Sequence, residues 1–209
     1  MSENQTNPPG QPNAPAPNPQ PPQPVIRPVS LVFVGPIQNP ASKNLRNICC
    51  SVVTSGTKDI QILFSSSGGL VDEGFALYNF LRALPVNLTM HAIGYVDSMA
   101  LVVFLAGQVR YCSPDSTFLF HDFAWGAPGA VNQTRSQWAD LNESLNRTTV
   151  RSKELLKLRT TFTDKDFEAL KLYEKATIQG AGFAKEKGIV NDIKEAAIPA
   201  GALIANVDF

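Results

Sequence analysis

Three short segments between residues 62 and 126 carry the groups that acyl-transfer chemistry needs. A Ser-Ser-Ser-Gly-Gly turn, ending at Gly69, can present backbone N–H groups to a developing oxyanion. Ser98 offers a hydroxyl nucleophile, and His121, at the end of an apolar run, offers a base. The chain contains 2 histidines, His91 and His121, so the choice of base is narrow. The residue types therefore favour nucleophilic catalysis of acyl transfer.

Each of these segments also has an ordinary structural interpretation. Gly68 and Gly69 could form a plain turn between a strand and a helix. Ser98 could be a helix N-cap, a role for which Asp97 competes. His121 could be a satisfied structural histidine, as we expect for His91 within its strand. No single segment separates the catalytic interpretation from these alternatives.

Other chemistries find little support in the sequence. The stretch between Arg82 and Arg110 has no lysine, which disfavours a local serine–lysine dyad. No HExxH motif or His/Cys cluster predicts a metal, and no GxGxxG or P-loop predicts a nucleotide, so we expect no cofactor. The net charge of +0 gives no basic footprint for nucleic acid. No apolar run of about 18 residues predicts a membrane span, and we expect no membrane partner.

The elements that must position these groups alternate between strand and helix from residue 29 to residue 121. Such alternation predicts an α/β fold with parallel strands and helices covering the sheet. The predicted strands are Val29–Val34, Ile60–Phe64, Leu88–Ile93, Gln108–Cys112 and Thr117–His121, and the predicted helices are Ala41–Val53, Asp72–Leu84 and Ser98–Leu105.

The remaining chain divides into a tail and a helical C-terminal part. Residues 134–160 are polar with one apolar seam, which predicts a long exposed helix. Thr163 opens another helix, and 183–193 adds a short helix and a turn. Residues 1–24 contain 9 of the 16 prolines. We therefore predict a disordered tail over 1–25, either passive or a polyproline II ligand, a domain over 26–196 and an extension over 197–209.

The termini and the cysteines suggest a reducing compartment. The N-terminus lacks the basic and apolar regions of a signal peptide. The 3 cysteines form no paired framework. Cys49 and Cys50 lie in an apolar run and are predicted to be small buried residues. These features predict a cytoplasmic protein.

Taken together, four motifs in this order resemble the proteolytic subunit family of the Clp protease, the serine peptidases of the Clp/crotonase fold. The resemblance covers roughly residues 29–193. The family's turn "NSPGG" is similar to residues 65–69, and "GxAASMGA" to residues 94–101. The family's "C-x-P-x-S…H" is similar to residues 112–121, and "A-x-E-x-G-L-V-D" to residues 184–191.

The resemblance implies a fold, an activity and site residues. The fold would consist of repeated β-β-α units, with residues 134–160 as a protruding handle helix where two rings meet. Ser98 would attack the peptide carbonyl, His121 would be the base, and the amides of Gly69 and Met99 would hold the oxyanion. The protein would hydrolyse unfolded proteins or peptides inside a homo-oligomeric ring, a heptamer or tetradecamer, with an AAA+ ATPase as possible unfoldase.

One departure from the family pattern concerns the catalytic acid. Counting back from Gly188, the family's catalytic aspartate falls at Ala176, which cannot orient a histidine. Asp164, Asp166 and Glu174 are the nearest carboxylates along the sequence. The peptidase is then weak, acts as a dyad or recruits another group. Two alternatives stay open: a catalytically impaired ring subunit, and a crotonase-type acyl-CoA enzyme.

Overall fold

The computed structural model describes residues 27–124 and 134–209. Within these residues the strands are β1 Val29–Val34, β2 Asp59–Ser66, β3 Asn87–Asp97, β4 Val109–Cys112, β5 Thr117–Phe120, β6 Thr177–Gly180, β7 Asp192–Ile193 and β8 Leu203–Asn206. The helices are α1 Ala41–Thr54, α2 Val71–Ala83, α3 Met99–Phe104, α4 Arg135–Arg159, α5 Asp164–Leu170 and α6 Ala181–Glu186. Every predicted strand and helix is confirmed to within a few residues, and the α/β architecture is confirmed.

All the described strands join one sheet. Six of them follow the order β6-β5-β3-β2-β1-β8, while β4 pairs with β3, and β7 pairs with β4. Only the β5–β6 pair of this sheet is antiparallel among the described residues. The connections between successive parallel strands pass through α1, α2 and α3, which cover the sheet. This arrangement brings the carboxyl ends of β2, β3 and β5 to one edge, where β2 leads into the Gly68-Gly69 turn and β3 leads into Ser98.

Strand β3 is longer than predicted, and its two halves have different neighbours. Residues 89–92 pair with β4, which in turn pairs with β7. Residues 95–97 pair with β5. The predicted end of the strand at Ile93 is therefore a few residues too early, because β5 supplies a new partner for residues 95–97. The extension carries β3 directly to Ser98.

Helix α3 is the centre of the core. All six of its residues, Met99–Phe104, are buried. A helix that is apolar on every side has no solvent-facing stripe, so it must be enclosed by other elements. On one side Gly74 of α2 lies so close to the Met99 side chain that a Cβ atom there would overlap it. The first turn of α3, which carries the Met99 amide, is thus held rigidly.

The long helix α4 matches the predicted handle in length and exposure. Its N-cap Thr134 and Gln137 form a capping box, and Ser152 and Leu156 are its buried residues. The apolar seam is only partly covered by this chain: Trp138 is 53% exposed and Val150 is 59% exposed. The N-terminal part of the predicted seam therefore presents apolar side chains to solvent.

The C-terminal residues add an edge strand that sequence patterns did not predict. Strand β8 pairs in parallel with β1, and the Val207 amide donates to the Val32 carbonyl. The Phe209 ring packs edge-on against Phe33 at 5.1 Å. The boundary between residues 196 and 197 stays a prediction, and the predicted tail over 1–25 lies outside the described residues.

The two adjacent cysteines of α1 differ in exposure. Cys49 is buried as predicted, but Cys50 is exposed, because α1 turns that side chain away from the sheet.

None of the helices in the described parts of the chain is both long enough and apolar enough to cross a membrane.

Candidate active site

Ser98 occupies a strained corner between β3 and α3. Its backbone φ is 57° and its ψ is −126°, in the half of conformational space that favours glycine. Holding a residue with a Cβ atom in such a region costs on the order of 1–3 kcal/mol and is typical of functional sites. The side chain makes no capping hydrogen bond with the first turn of α3. Ser98 therefore occupies the N-cap position without capping the helix, and its hydroxyl is held at a sharp strand-to-helix turn, as in a nucleophile elbow.

The Gly68-Gly69 turn lies directly against this corner. A Cβ atom on Gly68 would lie 2.8 Å from the Ser98 Cβ and 3.0 Å from the Met99 nitrogen. Gly68 has a φ of 85°, which suits glycine. Both the conformation and the close approach therefore require glycine here. Gly68 is thus in contact with Ser98 and Met99, which lie about 30 residues further along the chain.

Gly69 is held by Ile37, which follows β1. The Ile37 amide donates to the Gly68 carbonyl at 2.7 Å, and the Leu70 amide donates to the Ile37 carbonyl at 2.9 Å. This bridge uses the Gly68 carbonyl and the Leu70 amide and leaves the Gly69 amide out. Met99 is the first residue of α3, where an amide has no partner within the helix. The two predicted oxyanion donors are thus a loop amide and a helix N-terminal amide.

His121 follows β5, the strand beside β3. The Ser98 amide donates to the Leu119 carbonyl at 2.9 Å, which ties the two strand ends together. The Nδ1 atom of His121 lies 2.6 Å from the carbonyl oxygen of Asp122. Because a carbonyl can only accept, Nδ1 must carry a proton. In the neutral ring this leaves the lone pair on Nε2, which is the form a general base needs.

Ala176 lies where the sequence comparison put the missing acid. The antiparallel register of β5 and β6 pairs Leu119 with Ile178 and Phe120 with Thr177. His121 and Ala176 are the next residues along these two segments, so we expect them to lie opposite each other just beyond the last pair of the ladder. Residues directly opposite each other across such a pair have neighbouring side chains. The position next to His121 therefore holds an exposed methyl group in place of a carboxylate.

The carboxylates nearest along the sequence are engaged elsewhere or exposed. Asp164 forms an ion pair with Lys157 at 2.9 Å. Asp166 accepts from Lys187 and from Thr163, and these hydrogen bonds lower the pKa of Asp166 to about 2. Glu174 is exposed in the turn before β6. Nothing among these contacts brings Asp164 or Asp166 to His121.

Asp97 is a polar residue of this site that sequence reasoning treated only as a possible helix cap. Its Oδ1 accepts from the Leu119 amide at 3.2 Å. Burial raises the pKa of the Asp97 carboxyl, while the Leu119 hydrogen bond and the nearby His121 oppose that rise. One signal in the sequence could have drawn attention to Asp97: the family pattern has alanine immediately before the serine, where this chain has Asp97.

A cleft of about 570 Å³ opens beside Gly69. It lies between the start of α2 and the middle of α4, so it runs from the predicted oxyanion donor toward the handle. Its lining consists of residues 69–73, Ala124, Ser144, Leu145 and Thr148. Glu73 is held by Arg46 at 3.1 Å and by Asn39 at 3.0 Å. The cleft therefore combines an apolar surface with a neutralised carboxylate.

The second histidine has a structural role. His91 is buried in β3, and its Nε2 donates to the Lys194 carbonyl at 3.1 Å. Burial is the main cause that lowers the pKa of His91. Over the described ranges, no group of three or more His, Cys, Asp and Glu side chains could hold a metal ion. The described geometry thus leaves His121 as the histidine at the site.

The parallel sheet with its covering helices, and the serine corner, glycine turn and histidine at its carboxyl edge, fit the Clp/crotonase class of fold. The family model described as "Clp protease" matches residues 26–197, and the chain belongs to this family. A solved structure of a ClpP1 variant from Listeria monocytogenes superposes with a TM-score of 0.70, covering 80% of this chain and 91% of that one. At 18% identity, this superposition establishes the fold alone.

Curated relatives carry the same family name at low identity. The chain is 25% identical over 123 residues to an ATP-dependent Clp protease proteolytic subunit 3 of Rhizobium johnstonii, covering 56% of this chain and 63% of that protein. It is 26% identical over 144 residues to a subunit 2 of Mycolicibacterium paratuberculosis, covering 67% and 69%. The matched part is thus just under two thirds of the Rhizobium relative.

Proposed function

We propose that this chain is a serine endopeptidase of the Clp proteolytic-subunit type. The observation that carries the proposal is the strained Ser98 corner, packed against Gly68 and hydrogen-bonded to the strand that immediately precedes His121. A backbone strain of this kind has no evident structural use, since the Ser98 hydroxyl caps nothing. It serves to expose a hydroxyl above the first turn of a buried helix.

The proposed reaction is hydrolysis through an acyl-enzyme. Ser98 Oγ attacks the peptide carbonyl while His121 Nε2 accepts the hydroxyl proton. The amides of Gly69 and Met99 donate to the oxyanion, and His121 then returns the proton to the leaving amine as the C–N bond breaks. A water molecule, deprotonated by His121, attacks the ester and releases the acid product and Ser98.

The substrate class follows from the cleft and from the family. The cleft beside Gly69 has room for a side chain of an extended peptide. Of the charged residues that line it, Glu73 is paired with Arg46 and Asp72 is exposed, so the lining offers little charge that would select one substrate side chain. We propose unfolded polypeptides as substrates, a homo-oligomeric ring as the working form and an AAA+ ATPase as the unfoldase. The exposed apolar residues of α4, Trp138 and Val150, support a role of this helix in contacts between rings. Action in the cytoplasm stays a prediction.

Ala176 supports a second candidate function, that of a catalytically impaired ring subunit. In a serine protease with a complete triad, loss of the orienting aspartate lowers turnover by about 10⁴. A subunit that has lost this group could still contribute surface to a ring whose other subunits are active. Under this alternative, Ser98 and His121 would be remnants without detectable reactivity.

The test is covalent labelling with a fluorophosphonate probe, followed by intact-mass measurement and peptide mapping. The peptidase proposal predicts one adduct on Ser98, absent in Ser98→Ala and in His121→Ala. Ser51→Ala, which changes an exposed serine on α1, is the matched control, and Ser98 in this variant should be labelled at the wild-type rate. No adduct on Ser98, under conditions that label a complete Clp-type subunit, would favour the impaired ring subunit.

A further inference from the structure

The side chain of Asp97 is fixed beside the strand that carries His121. Asp97 is the last residue of β3 and pairs with Leu119 of β5. Its Oδ1 accepts from the Leu119 amide at 3.2 Å, and the next amide along the chain, that of Ser98, donates to the Leu119 carbonyl. Both peptide groups of Leu119 are thus held by the residues that form the serine corner.

Asp97 and His121 share one face of the sheet. Side chains alternate along a strand, so Leu119 points to one side of β5, and Phe118 and Phe120 to the other. His121 follows the last residue of β5, and continued alternation sets it on the side of Leu119. Phe118 and Phe120 are buried in the core. Asp97 lies in register with Leu119, so its carboxylate belongs to the same, partly exposed face as the His121 imidazole.

The charged groups around His121 are few among the described residues. Asp122 is exposed, and its Oδ1 accepts from the Phe123 amide. Lys175, next to Ala176, is also exposed. Asp97 is the less exposed of the two carboxylates, and water screens a partly buried charge less than an exposed one. His121 is also near enough to oppose the rise that burial causes in the pKa of Asp97.

The aspartate of a complete triad has two tasks: it fixes the tautomer and orientation of the imidazole, and it stabilises the imidazolium that forms during the reaction. We propose that this protein divides those tasks between two groups. The Asp122 carbonyl fixes the Nδ1–H tautomer, and the Asp97 carboxylate is the positioning residue that stabilises the protonated ring. This inference rests on the proposed peptidase function and names the group that replaces the absent acid.

The substitution Asp97→Asn isolates the charge of this residue. An asparagine keeps an oxygen that can accept from the Leu119 amide, so the strand pairing is preserved. We expect labelling of Ser98 to slow about tenfold, the size typical of one charge pair near a protein surface. Asp115→Asn, which removes an exposed carboxylate from the turn before β5, is the matched control and should label within about twofold of wild type.

A second background separates a charge effect from a structural one. In Ala176→Asp, a carboxylate placed opposite His121 would take over both tasks, so adding Asp97→Asn should slow labelling by less than about threefold. Two carboxylates that stabilise the same imidazolium should have non-additive effects on the labelling rate. A smaller effect of Asp97→Asn in the Ala176→Asp background therefore supports the proposal. A structural role for Asp97 would instead slow labelling equally in both backgrounds.

The outcomes distinguish the inference from the function on which it rests. Labelling of Ser98 that Asp97→Asn leaves unchanged, or slows equally in both backgrounds, overturns the assignment of Asp97 alone. Absence of Ser98 labelling in both the wild type and Ala176→Asp overturns the peptidase proposal itself. Circular dichroism and the denaturant midpoint of each variant show whether it is folded, so that misfolding is not counted as lost reactivity.

Discussion

Gly68 and Ser98 approach so closely that a Cβ atom on Gly68 would lie 2.8 Å from the Cβ of Ser98. The two residues belong to different strand-to-helix corners, one after β2 and one after β3. Their contact assembles the candidate oxyanion donors and the candidate nucleophile in one place. It also explains why the Ser-Ser-Ser-Gly-Gly turn tolerates no side chain at its fourth position.

We predict that Gly68→Ala abolishes Ser98 labelling and destabilises the fold. The added methyl group must displace Ser98 or the Met99 amide, and alanine is strained at a φ of 85°. Together these effects should cost about 2–4 kcal/mol, measured by urea unfolding. The control is Gly182→Ala in α6, where a Cβ atom would meet nothing within 4 Å. Equal stability of the two variants would contradict the packing described here.

Ser98→Gly should be at least as stable as Ser98→Ala, and neither should label. Alanine retains the strained φ of 57°, whereas glycine adopts it freely. Relief of strain should offset the greater chain entropy of unfolded glycine, which costs about 0.5–1 kcal/mol. Denaturant midpoints measured under identical conditions decide the order. A glycine variant less stable by about 1 kcal/mol would show that the corner is unstrained.

Ala176→Asp should accelerate Ser98 labelling by about tenfold or more, because the β5–β6 register, continued one residue past the Phe120–Thr177 pair, sets residue 176 opposite His121. Ala176→Asn is the matched control: it has nearly the same shape and can accept a hydrogen bond, but it lacks the charge that stabilises an imidazolium. Labelling rates of the two variants are compared at the same pH. If asparagine accelerates labelling as much as aspartate does, charge is not what the site lacks.

Arg110 should prove essential to the stability of the region beneath α3. It is buried, and its guanidinium donates to the carbonyls of Ile189, Gly107, Arg159 and Gly188. Burial is the main cause that lowers the pKa of Arg110, to about 10, and the neighbouring Arg159 adds to this effect. Arg110→Met leaves several buried carbonyls without a donor, so we expect a loss of about 2–4 kcal/mol in the free energy of unfolding.

The comparison for this prediction is Arg46→Met, which removes a partly exposed ion pair with Glu73. Pairs of this kind contribute about 0–1 kcal/mol. Urea unfolding of both variants gives the difference directly. Similar losses in the two variants would mean that water replaces the guanidinium at the carbonyls.

The sequence by itself determined most elements and the four groups of the candidate site. Short, mainly apolar segments such as Val29–Val34 and Ile60–Phe64 favour strands, and the seam of residues 134–160 favours a long, largely exposed helix. Residue type made Ser98, His121 and the glycine pair candidates, and the resemblance of four motifs to the Clp family favoured their catalytic interpretation. These features are local, because they depend on neighbours within a few turns or residues.

What only the tertiary structure decided depends on contacts between distant parts of the chain. Strands β6 and β8 are short, and they exist because β5 and β1 offer them hydrogen-bonding partners. The conformation of Ser98, the bond from Asp97 to Leu119 and the position of Ala176 opposite His121 all follow from strand register. Register is set by pairing across many residues of intervening chain, which no local pattern encodes.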